Sequence, residues 1–69
     1  MTTTRHTTND ALRDGRQAAD DLAAALKDAG FTLPSLRGGF PVNNLGYVEL
    51  GGAGAHLISR LAVWIRARV

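Results

Sequence analysis

The sequence predicts a small α+β fold, two helices flanking a turn-rich segment with a short two-stranded β-ribbon. Three observations point there. Residues 9–29 are dense in Ala, Leu, Arg, Gln and Lys and stop at a glycine. The middle of the chain is punctuated by Leu33-Pro34, Gly38-Gly39, Phe40-Pro41, Asn43-Asn44 and Gly51-Gly52. The remainder places Leu, Ile and Trp along one arc of a helix. Residues 1–8, a Thr-rich run with little to bury, are expected to be a disordered polar arm, and residues 9–69 a single small domain.

The first helix is expected over Asn9 to Ala29. Asn9 or Asp10 can accept from the free amides of its first turn, and Gly30 provides a left-handed stop. Phe31, just past that glycine, can fold back on Leu26 as the apolar contact of a Schellman cap. Leu12, Gly15, Ala19, Leu22, Leu26 and Ala29 follow steps of three and four and share one side. Arg13, Arg16, Asp20, Asp21, Lys27 and Asp28 mix both signs on the other, as a solvated face does. Gly15 and the alanines permit another backbone to approach closely, most simply as a packing face within one monomer.

In the middle segment the best strand is Tyr47-Val48-Glu49-Leu50, with Val48 and Leu50 on one side and Tyr47 and Glu49 on the other. Phe31-Thr32-Leu33 is its expected partner, and Asn44-Leu45-Gly46 the turn before it. A ribbon this short needs a helix over one face. The second helix is expected from Ala53 or Ala55 to about Arg68. At about 100 degrees per residue, Leu57, Ile58, Leu61, Ala62, Trp64, Ile65 and Val69 fill one arc, opposite His56, Ser59, Arg60, Val63 and Ala67. This helix is expected to carry most of the core, its Leu57, Leu61 and Ile65 side packing on Leu22, Leu26, Phe31, Val48 and Leu50.

Composition narrows the function. No cysteine is present, and His6 and His56 are far apart, so no disulfide, thiolate site or local zinc motif is expected. The N-terminal segment has no apolar run behind its charge and no stretch of about 18 apolar residues occurs, which points to a cytoplasmic chain with no membrane partner. The pI of about 9.9 rests on eight Lys and Arg against six Asp and Glu, a net charge of only +2, which says little about nucleic acid.

Motifs that suggest chemistry lack their context. Gly51-Gly52-Ala53-Gly54 lies between an expected strand and an expected helix, where phosphates can bind bare amides. A dinucleotide fingerprint would need a small residue where Leu57 stands, and a P-loop would need a following Lys-Ser or Lys-Thr. A tight connection is the simpler reading. His56 and Ser59 share a helix face without an oriented third group, and Asp20 and Asp21 point in different directions. No catalytic, cofactor-binding or metal residue is assigned, no cofactor is expected, and the chain is expected not to be an enzyme.

The function expected is a small non-enzymatic protein–protein interaction module, self-associating as a homodimer and acting as an adaptor or regulator of a larger macromolecule. Trp64 at the border of the apolar arc, Val63 on the polar face, and Tyr47 with Glu49 on the ribbon are the interface candidates. The alternative is a nucleic-acid-binding accessory protein using Arg5, Arg37, Arg60, Arg66 and Arg68, although the three arginines of the second helix point in separate directions.

Overall fold

A 22-residue helix, α1 (Thr8–Ala29), is the spine on which everything else is laid. The computed structural model describes residues 8–69. After α1 come two short strands, β1 (Arg37–Gly38) and β2 (Val48–Glu49), and a second helix, α2 (Ala55–Arg66). The strands pair antiparallel, Arg37 opposite Glu49 and Gly38 opposite Val48, so the fold is α+β. The expected arm at residues 1–8 lies outside the described residues apart from Thr8, which opens α1 one residue earlier than the capping residues suggested.

Helix α1 ends as its sequence requires. Gly30 has φ +92°, the left-handed conformation that a side chain disfavours. The Gly30 amide donates to the Lys27 carbonyl (3.0 Å) and the Phe31 amide to the Leu26 carbonyl (2.8 Å), the paired bonds of a Schellman motif. Leu26 and Phe31 are both buried, as the apolar contact of that cap demands. Pro34 and Ser35 then form a turn closed by the Leu36 amide on the Leu33 carbonyl (3.3 Å).

The hairpin extends beyond its two named strand pairs. The Gly39 amide donates to the Tyr47 carbonyl (2.9 Å), and Val42 and Leu45 exchange both backbone bonds (3.1 and 2.9 Å). Asn43 (φ 53°) and Asn44 (φ 60°) are both left-handed, which makes the loop a two-residue type I′ turn matched to the twist of the strands. Between the Gly39–Tyr47 and Val42–Leu45 pairs, Phe40 and Pro41 together stand opposite Gly46. That is a β-bulge, a position that suits a proline with no amide to donate.

The hairpin crosses the first half of α1 at backbone distance. A Cβ on Gly46 would stand 2.9 Å from the Ala11 carbonyl oxygen, and one on Gly38 would stand 2.9 Å from the Arg16 nitrogen. A Cβ on Gly15 would run into the Tyr47 carbonyl. The expectation that Gly15 and the alanines admit another backbone is met within the monomer, and the backbone admitted is the hairpin's. Ala11, Ala19, Leu26 and Phe31 are the buried apolar residues among those described, with Gly15 and Gly39 also buried.

Five expectations need correction. The partner of β2 is Arg37–Gly38 rather than Phe31-Thr32-Leu33, because the cap turns Phe31 onto α1 and Pro34 redirects the chain before it can pair. The strand itself spans Val48–Glu49, since Tyr47 and Leu50 flank it outside the regular ladder. The turn is Asn43-Asn44, with Leu45 already back in the hairpin. Most consequentially, α2 contributes no buried residue: Leu57, Leu61 and Trp64 are half-buried and Ile65 is exposed, because α2 faces an open groove and no other element packs closely along it. The α1 stripe holds at Gly15, Ala19 and Leu26, while Leu22, 36% exposed, faces an open groove and Ala11 takes a buried place.

The crossing predicts an inverted glycine effect. Alanine in a helix interior normally gains about 1 kcal/mol over glycine. At Gly15 the new methyl meets backbone rather than a yielding side chain, so Gly15→Ala should destabilise by about 1–2 kcal/mol net. Nothing lies within 4 Å of a Cβ on Gly52, and Gly52→Ala should be neutral or stabilising by up to about 1 kcal/mol. Urea unfolding of both variants, with the midpoint moving at constant slope, checks the pair.

Candidate functional site

Two apolar surfaces are left open by this fold, and the interface candidates divide between them. The first belongs to the hairpin, where Phe40 is 84% exposed, with Val42, Leu45 and Tyr47 exposed beside it. Tyr47 is expected to sit with Glu49, and both are exposed on the hairpin. Glu49 is engaged there: its Oε1 accepts from Nε (3.0 Å) and Nη2 (2.7 Å) of Arg37 directly across the ribbon.

The second surface lies between the helices, over the C-terminal half of α1. Leu22, Ala25, Leu26 and Ala29 form one wall, Leu61, Trp64 and Ile65 the other, and Leu33 and Leu50 complete an apolar groove of about 290 Å³. Its two walls meet at an aromatic junction. Phe31 and Trp64 pack edge to face with centroids 6.2 Å apart, an arrangement the ring quadrupoles favour. The Arg60 guanidinium sits 5.4 Å from the Phe31 centroid and that of Arg68 3.8 Å from the Trp64 centroid, both within cation–π range. Arg68 also donates to the Trp64 carbonyl (2.9 Å), occupying an acceptor that the helix end leaves free.

Trp64 is therefore half-buried at the lip of the groove, and Val63 is 66% exposed beside it. Phe31, Arg60, Val63, Trp64 and Arg68 line a shallow dish behind that lip. Of the arginines named for nucleic acid, Arg5 lies outside the described residues, Arg37 is held by Glu49, and Arg60 and Arg68 lie over aromatic rings. Arg66 is exposed on α2. His56, Ser59, Asp20 and Asp21 are all exposed, and Asp21 accepts from the Gln17 amide nitrogen (3.0 Å).

Among the described residues no group of three or more His, Asp or Glu side chains is placed to hold a metal ion, and no helix is long and apolar enough to cross a membrane. Sequence reasoning passed over Phe40, Val42 and Leu45 on the hairpin, and it placed Leu22, Leu50, Ile58 and Ile65 on core-facing sides, where the structure leaves them exposed in or beside the groove. For the hairpin a signal was present, since two asparagines bounded by apolar residues are a turn signature. The groove has no such signal, because residues far apart in sequence compose it.

Compared with known proteins, the chain matches no family model, no curated protein and no solved structure. What the site does must be argued from its own residues.

The Arg37–Glu49 pair is short but exposed on both sides, so it should fix the ribbon's register more than its stability. A double-mutant cycle with Arg37→Ala and Glu49→Ala is expected to give a coupling of about 0.2–1 kcal/mol, diminishing in about 1 M salt.

Proposed function

We propose that this chain is a non-enzymatic protein–protein interaction module that self-associates and acts as an adaptor or regulator of a larger assembly. The observation that supports this reading is α2, a helix whose apolar arc leaves Ile58 and Ile65 exposed and buries no residue fully. Large apolar side chains gathered on one surface are where partners bind, and a half-buried tryptophan at the lip of a groove is the residue type most often dominant in such contacts. Four buried apolar side chains among the described residues, two of them alanines, make a lean core, and any partner that binds only the folded chain adds its binding energy to stability.

Sedimentation velocity across micromolar concentrations tests the reading. The expected result is a mass above the 7.3 kDa of one chain, rising with concentration, together with a loss of association and of thermal stability in Trp64→Ala. A chain that stays monomeric at micromolar concentration, with Trp64→Ala altering neither stability nor recovery of a partner, overturns it.

A further inference from the structure

We infer that the groove between α1 and α2 is filled by α2 of a second copy of the chain, in a two-fold arrangement; this rests on the self-associating reading above. The inference begins with what α2 shows outward. Ile58, Ala62 and Ile65 follow steps of four and three, so they form one seam on the side of α2 next to the groove, and all three are exposed. Ala62 at the seam's centre lets a neighbouring helix come close. Ile65 also lines the groove itself, so seam and groove are one continuous surface. A patch that offers both a ridge and a groove can serve both subunits of an isologous contact.

Charge selects the occupant. Asp21 and Asp28 are seven residues apart, and at about 100 degrees per residue they stand in line beside Ala25, which lines the groove. The α1 rim is therefore acidic. Residues 55–69 hold Arg60, Arg66 and Arg68 and no acid. Arg66 projects just beyond Ala62 on the outer border of the seam. An incoming α2 thus carries an apolar ridge for the groove and a basic border for the acidic rim. In the two-fold pair the two α2 helices lie side by side, each reaching the other copy's α1, with Arg66 of one facing Asp21 and Asp28 of the other. Charge complementarity of this kind sets register and orientation across an apolar contact.

Sedimentation equilibrium of the full chain, with far-UV circular dichroism as a check on folding, tests the arrangement. Ile65→Asp should convert the dimer to monomer with helix content retained, since Ile65 is about half exposed already (49%). Arg66→Asp and Asp21→Arg should each raise the dimer dissociation constant about fivefold or more. Combining the two should restore it toward the original value, which a merely structural role of either residue would not do. A dimer that withstands Ile65→Asp but is lost in Leu45→Asp forms through the hairpin, and the groove proposal falls while the interaction reading stands. Single charge reversals without rescue in the double variant also overturn it. A chain that is monomeric at every concentration yet recovers another protein keeps the module and removes the second copy as occupant, whereas one that does neither removes both.

Discussion

The structure depends on one close crossing, the hairpin laid across α1 where Gly15, Gly38 and Gly46 bring backbone onto backbone. A methyl at any of these three positions would stand within 3.0 Å of an atom of the other element. A two-stranded ribbon of this length does not hold by itself; it needs one face covered, and the crossing supplies the cover. The cost is apolar area. Glycine and alanine at the contact let the elements meet, but each contributes little hydrophobic surface for the backbone that it orders. The lean core is therefore a consequence of how the hairpin is held.

The other half of α1 is organised around Phe31. The Schellman cap places this residue directly after the helix stop, where it is buried and meets the edge of Trp64 while Arg60 lies over its ring. A local backbone motif thus sets the docking point of α2, more than 20 residues on. One aromatic junction with Leu61 and Ile65 beside it positions the helix without covering it. Gly51, Gly52 and Gly54 in the connector add no side chain that could fill the space between the walls. The groove follows from these two facts, the junction at one end and the empty connector at the other.

What was legible in the sequence is what local physics decides. The course of α1, its stop at Gly30, the cap through Phe31 and the course of α2 follow from capping, propensity and periodicity, and the structure has each within a residue or two. The strand partner was not legible. Phe31-Thr32-Leu33 has the apolar alternation of a strand, yet the cap claims Phe31 for α1, and the partner is Arg37–Gly38, whose glycine alternation cannot reveal. The burial of α2 was overstated for a related reason: a helical wheel shows which face is apolar, not whether another element reaches it. Trp64 and Val63 were singled out by residue type and wheel position, Trp64 at the border of the apolar arc and Val63 on the polar face, whereas Leu22, Leu50 and Ile65 became one candidate surface only when three separate segments met.

The net charge of +2 and the basic pI hide a segregation that the fold makes meaningful. Helix α1 carries five acids and three bases, residues 55–69 three arginines and no acid, and Arg37 and Glu49 neutralise each other on the ribbon. The two helices are therefore of opposite character, and the groove runs between them. Exposed ion pairs in water contribute about 0–1 kcal/mol each, too little to hold a complex together but enough to separate one orientation from another. Apolar contact along Ile58, Ala62 and Ile65 would then govern how tightly a helix sits in the groove. The acidic rim would govern which helix enters and in which direction. An arginine-bearing α2 satisfies both conditions, and the chain itself makes one.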